Sequence, residues 1–267
     1  MKKLLVLILS ILMIFAFTGC GESDLGGRLY ENMGESNLEE VGGAWVIFGA
    51  LKAENVQVDT SFVKTFKIPK DAKPLDIARY AIVLKTAGAK EDSYGFEKEL
   101  NDYEAFRNEG HLAQGQGMIA ANMWGFKLER EGDYLKDIMD GLDSADAINL
   151  SKALEALSFY DTPEVNEAKD WIIAKLSEEF SGDYGSLPAD AEVIIALCQV
   201  GIDPSSDERF SVNGVNLIDT LKSYEVEGLY MKEITDTSYD QHASEMALLA
   251  FTAYDQYVLT GKGLFVK

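Results

Sequence analysis

Residues 188–200 (PADAEVIIALCQV) place Ala189, Ala191, Val193, Ile194, Ile195, Ala196, Leu197, Cys198 and Val200 around nearly the whole circumference of a helix. A helix that is apolar on every side has to be buried on every side. Residues 164–180 follow another pattern, in which Val165, Ala168, Ile172, Leu176 and Phe180 form one stripe opposite a face of Glu, Lys and Asp. That pattern belongs to a helix lying on the outside. Residues 214–224 repeat the outer type through Val215, Ile218, Leu221 and Tyr224, and the buried type recurs at 75–87, 117–126, 148–159 and 243–258. No stretch after Trp45 shows convincing period-two alternation, so the expected class is all-α. Repeated alternation of the two kinds predicts inner and outer layers, either stacked helix pairs or a closed double ring.

An internal repeat agrees with the layering. Residues 82–89 (IVLKTAGA) align with 195–202 (IALCQVGI), and in both copies a helix runs into a glycine, where a left-handed residue ends it and satisfies trailing carbonyls. Each copy continues through an amphipathic helix ending at an aromatic (Phe106 or Tyr224) to Glu109-Gly110 or Glu227-Gly228. A buried helix that begins near a histidine, His111 or His242, closes the unit. Cys198 takes the place of Lys85 and has no cationic neighbour in sequence, so it reads as a small core residue rather than a reactive thiol.

The N-terminus gives an address. Lys2 and Lys3 precede an apolar stretch over residues 4–17, then Thr18, Gly19 and Cys20. Such a run is too short for a permanent span, and its ending resembles a bacterial lipobox. Residues 1–19 are therefore expected to be a lipoprotein signal peptide, with Cys20 lipidated on the extracytoplasmic face of the cell membrane. Residues 20–43, rich in Gly, Glu, Asn and Ser, read as a flexible tether ahead of the domain at 44–267. Removing the signal takes away two lysines and no acids, so the formal charge falls from −21 to −21 − 2 = −23. A surface of that sign excludes nucleic acid as a partner and suits solubility at an anionic envelope. Lipidation of Cys20 leaves Cys198 as the one thiol and rules out an intramolecular disulfide, so the core alone must hold the fold.

The segments ARYAIVLKTAGA, AEVIIALCQVGIDPSSDERFSVNGVNLIDTLKSYEVEG and ASEMALLAFTAYDQYVLTGKGLF resemble the helical domain of bacterial cell-surface proteins in the terpenoid cyclase and protein prenyltransferase superfamily, relatives of the intrinsic factor and transcobalamin helical domain. The resemblance is strongest from Ala191 onward and extends back to AWVIFGALKA. It implies an α/α toroid, an inner ring of helices within an outer ring, with a cavity at one end. The functional motifs of that superfamily are not matched. The cyclases use an Asp-x-Asp-Asp proton donor, and the nearest acidic cluster here, DGLDSADA, has the wrong spacing. The prenyltransferase zinc set would need an aspartate at position 196, where Ala196 stands, which leaves only Cys198 and His242. The Gly-Gly-Phe or Gly-Gly-Trp loops of many surface relatives are replaced by SGDYGSL and VEGLYMK, bringing Tyr184 and Tyr230 to the expected cavity mouth.

The remaining candidates stand near helix starts, where the open end of a barrel is lined. They are His111, Gln114 and Gln116, with Trp124 further along the same helix; Gln241, His242 and Glu245 on the last one; and Tyr184 and Tyr230 from the loops. Two histidines give no defensible Ser-His-Asp order, and Gly115 and Gly117 lack the preceding strand of a phosphate loop. The expectation is a lipid-anchored binding or interaction module that holds a small ligand or a surface partner, with no catalytic residues, metal or cofactor assigned. The alternative is an enzyme on an isoprenoid or glycan substrate in the cavity, or corrinoid capture with a lid from a separate protein.

Overall fold

A computed structural model describes residues 24–34 and 43–266; the signal peptide expected at 1–19 and the lipidation expected at Cys20 lie outside them. The described residues form twelve α-helices and two short hairpins, an all-α fold. Among them no helix is long and apolar enough to cross a membrane.

Six helices make the core: α2 (Gly43–Lys52), α3 (Pro74–Thr86), α6 (His111–Trp124), α8 (Ala147–Leu157), α10 (Leu187–Gln199) and α12 (Gln241–Thr260). Each packs on the next in that order, and α12 packs back on α2. The others lie over this set: α1 (Leu25–Met33) on α12 and α2, α4 (Phe96–Leu100) on α3, α5 (Tyr103–Glu109) on α6, α7 (Glu131–Asp140) on α6 and α8, α9 (Pro163–Glu179) on α8, and α11 (Leu217–Lys222) on α10. Burial follows the two sequence patterns. Every residue of α10 from Leu187 to Cys198 is buried, whereas α9 buries only Val165, Ile172 and Leu176. Cys198 is fully enclosed, and burial pushes its thiol pKa well up, as befits a core residue.

Side chains set the helix ends. Asp102, Asp146 and Asp240 cap α5, α8 and α12 by accepting the N–H three residues on, at 3.1, 2.9 and 2.8 Å. The helices α3, α6 and α10 end alike, at Gly88, Gly125 and Gly201, all with positive φ. The following residue then donates five positions back, Ala89 to Leu84, Phe126 to Ala121 and Ile202 to Leu197, at 2.9–3.0 Å. The repeat seen in sequence is thus a repeated way of stopping a core helix.

Core helices run in the same direction, because their C-terminal ends are bonded to one another. Trp124 Nε1 donates to the Ala81 carbonyl (2.8 Å), Asn122 to the Tyr160 hydroxyl (2.9 Å), Gln199 to Ser158 Oγ (3.3 Å) and the Tyr257 hydroxyl to the Gly201 carbonyl (3.0 Å).

Three boundaries differ from the sequence reading. The buried helix expected from residue 117 starts at His111, since its first turn is apolar on one side only. The outer helix expected over 214–224 begins at Leu217, and Val215 pairs instead with Val212 in a hairpin turned by Asn213 and Gly214, both at positive φ. The tether expected over 20–43 is folded in part. Within it, α1 is capped by Asp24 and buries Gly26, Gly27 and Leu29 against α12; residues 35–42 lie outside the description. The physical reason is backbone proximity: Gly26 donates its N–H to the buried Asp255 carboxylate at 3.0 Å, and a Cβ at Gly26 would collide with Thr252 Oγ1.

That contact supports a prediction. Gly26→Val will undock α1, exposing Leu29 and removing the partner of Asp255 at a cost of about 2–4 kcal/mol. Trypsin will then cut after Arg28 much faster than in the native chain. Equal cutting rates would show that α1 is not held in place.

Candidate functional site

Five of the six core helices carry a polar residue at one level. Arg79, Gln116, Lys152 and Glu192 are the sixth residues of α3, α6, α8 and α10, and Glu245 is the fifth of α12. Parallel packing brings these positions to a common level, and two pairs are in direct contact, Arg79 with Gln116 and Lys152 with Glu192. Arg79 Nε donates to Gln116 Oε1 at 3.4 Å, and its guanidinium lies 5.4 Å from the ring centre of Trp45 on α2. Lys152 Nζ lies 3.0 Å from Glu155 Oε2, one turn along its own helix, and also pairs with Glu192 Oε2 across to α10. Gln241 Nε2 donates to Glu245 Oε1 at 3.2 Å, and His242 Nδ1 lies 3.6 Å from Glu245 Oε2. Arg79 and His242 both feel the Glu192 charge, which joins the two halves of the cluster.

Burial sets the protonation states. Glu155 has no exposed surface, and burial, reinforced by the neighbouring Glu192 carboxylate, pushes its pKa up to about 8. Burial also works against the Lys152 ammonium, but Glu155 and Glu192 outweigh it and hold that pKa above the usual lysine range. Burial lowers the Arg79 pKa, and a hydrogen bond to Glu245 raises that of His242.

The cluster has a closed floor and an open edge. Lys152, Glu155 and Gln116 are shut off from solvent, while the His242 side chain is 64% exposed and Gln241 and part of Arg79 reach the surface. An incoming group would meet the Arg79, Gln241 and His242 edge first. Among the described residues no group of three or more His, Cys, Asp or Glu is placed to hold a metal ion.

The sequence candidates divide among several places. Gln116, Gln241, His242 and Glu245 belong to the cluster. His111 and Gln114 do not: at about 100° per residue, Gln114 lies about 160° and His111 about 140° around the helix from Gln116. Gln114 turns outward, donating at 3.0 Å to Asp137 of α7, which also accepts from the Tyr103 hydroxyl at 2.5 Å and lies 3.6 Å from Arg107 Nε. Burial acts to raise the Asp137 pKa, but those hydrogen bonds and the Arg107 charge outweigh it and hold the carboxyl low. A surface cavity of about 330 Å³ opens here between Arg107, His111, Gln114 and Asp137. The His111 ring packs so closely on Gly141 that a Cβ there would lie 2.8 Å from it.

Trp124 sits at the opposite end of α6, bonded to Ala81, stacked on Phe126 and covered by Lys85. Tyr184 faces α9 and α10: its hydroxyl donates to the Leu176 carbonyl at 2.6 Å and its N–H to Asp190 at 2.7 Å. Tyr230 packs on Phe251 and receives α1 from the other side, in a cavity of about 340 Å³ shared with Arg28 and Asn32.

Arg79, Lys152, Glu155 and Glu192 were not singled out by the sequence reading, although a recurring polar residue at the sixth position of otherwise apolar helices was there to be found. No family model, curated protein or solved structure matches the chain.

Proposed function

We propose that the protein is a lipid-anchored, extracytoplasmic α/α toroid that binds a small polar ligand at one mouth of its barrel. In this reading α2, α3, α6, α8, α10 and α12 form the inner ring and the remaining helices the outer one. The convergence of polar side chains from five of the six inner helices at one level, with Trp45 of the sixth beside Arg79, carries the proposal. A buried floor supports binding rather than turnover, because Glu155 and Lys152 cannot touch a ligand unless the cluster opens. The accessible edge offers a guanidinium beside an indole and a histidine whose pKa is raised, which suits an anionic group on the ligand.

Native mass spectrometry of the mature chain, purified from its own envelope and compared with refolded protein, tests this. An added mass present only in the native sample and lost in Arg79→Ala is the expected result; a bare chain in both samples overturns ligand binding. The anchor is tested separately: Cys20→Ser will move the protein from the membrane fraction to the soluble one.

A further inference from the structure

The fixed start of α1 has a consequence for how the domain meets the membrane. Asp24 is held at the C-terminal end of α12: it accepts from Asn55 Nδ2 at 3.3 Å, and the next residues of α1 dock on Asp255 and Thr252. Asp255 lies ten residues beyond Glu245 on the same helix, so the anchor end stands about 15 Å below the polar cluster along the α12 axis. Further on, α1 passes toward the other end, where Asn32 Nδ2 donates to the Gly228 carbonyl at 2.9 Å and Tyr230 is bonded to Ser244 near the start of α12. The helix α1 is thus antiparallel to α12, and its N-terminus points away from the mouth. Between Cys20 and Asp24 there are four residue steps, which span roughly 14 Å at most when fully extended.

The surface at that end has an apolar face. Val258 and Leu259, one turn past Asp255, are 55% and 48% exposed, and the exposed Lys262 follows them. We infer that Val258 and Leu259 rest on the lipid surface that holds the anchor, with the mouth at Arg79 and His242 opening away from it. Ile234 and Tyr239 are also exposed, beside the N-terminal end of α12. They stand about 21 Å from Asp255 along the α12 axis, and the short link from Cys20 cannot bring that rim to the same bilayer. Lys262 adds a cation where anionic headgroups would lie, on a chain that is otherwise strongly acidic. A partly exposed valine and leucine give only modest affinity, so this contact orients a protein already held by its lipid. The inference rests on lipidation of Cys20.

Depth-dependent quenching tests it on the full lipidated chain in phosphatidylethanolamine and phosphatidylglycerol vesicles. Single labels are placed by Val258→Cys and Tyr239→Cys; Cys198 is buried and does not react. With spin-labelled headgroup lipid, the probe at 258 is expected to be quenched several-fold more than the probe at 239. Equal or reversed quenching overturns the orientation. Absence of quenching at both positions, in protein that still sediments with vesicles, overturns docking while leaving the anchor intact. Protein that neither sediments nor carries lipid mass on Cys20 overturns the anchor itself, and the orientation with it. Both substitutions are at exposed positions, and an unchanged helical circular dichroism spectrum verifies the fold.

Discussion

Lys152→Met will lower the melting temperature of the mature chain by roughly 10 °C. Among the described residues Lys152 is the one cation paired with both Glu155 and Glu192, and all three side chains lie almost entirely out of water. Removing one partner of a buried ion group leaves uncompensated charge at a cost of about 3–5 kcal/mol. A domain of this size loses about 2–4 °C per kcal/mol. Methionine keeps the length and apolar stem of lysine, so the loss reports on charge more than on packing. One control separates these terms. Adding Glu155→Leu and Glu192→Met will recover most of the loss, since a buried ion group replaced as a whole by apolar residues is often neutral or stabilising. Differential scanning calorimetry reads both variants. No measurable fall at pH 7 would mean that Lys152 compensates no buried charge in this cluster.

The layering of this fold was legible because burial is written around the circumference of each helix. In α10 the apolar residues leave no solvent face, and in α9 they leave a wide one; these two patterns alone sorted core from cover. The same criterion hid the polar cluster. A window such as ADAEVIIALC reads as uniformly buried, and Asp190 and Glu192 drop out as exceptions. They are buried too, on opposite sides of α10: Asp190 turns to Tyr184 and the outer layer, and Glu192 to Lys152 in the centre. No single helix shows which exceptions converge. Only the common register of parallel helices brings Arg79, Gln116, Lys152 and Glu192 to one level, and that register is a tertiary fact.

Proximity in sequence misled in a related way. His111, Gln114 and Gln116 looked like one group at a helix start, but the helical repeat sends Gln114 to Asp137 and Gln116 to Arg79. Composition misled for α1, where Gly26 and Gly27 suggested a loose tether. Their lack of side chains is what lets the backbone approach Thr252 and Asp255. The Asn213-Gly214 pair was a readable hairpin signal, outweighed by the helical spacing of Val215, Ile218 and Leu221.

The native chain will also be more stable in mild acid than in mild base, in a way that Asp190 can be made to reveal. Asp190 is enclosed at the start of α10, with the Tyr184 N–H at 2.7 Å and the Tyr224 hydroxyl against it, and burial pushes its pKa up to about 7. A carboxyl whose pKa is higher in the folded chain than in the unfolded one favours folding while it is protonated. Its contribution is complete below the unfolded pKa near 4 and is lost as pH rises through the folded pKa. For Asp190 that window runs from about pH 4 to 7, and for Glu155, raised to about 8 from near 4.5, it continues to the alkaline side. Half of the Asp190 displacement alone corresponds to about 2 kcal/mol, or roughly 5 °C. Melting temperature should therefore fall between pH 5 and 8, against the trend of a protein stabilised by salt-bridged carboxylates. Asp190→Asn keeps an oxygen for the Tyr184 N–H and cannot ionise, so its curve will be flatter between pH 5 and 7 and will meet the native curve at the acid end. Glu155→Gln will flatten the segment above pH 7 instead. A native melting temperature that rises from pH 5 to 8, with neither variant flattening its segment, would overturn the raised folded-state pKa of both acids.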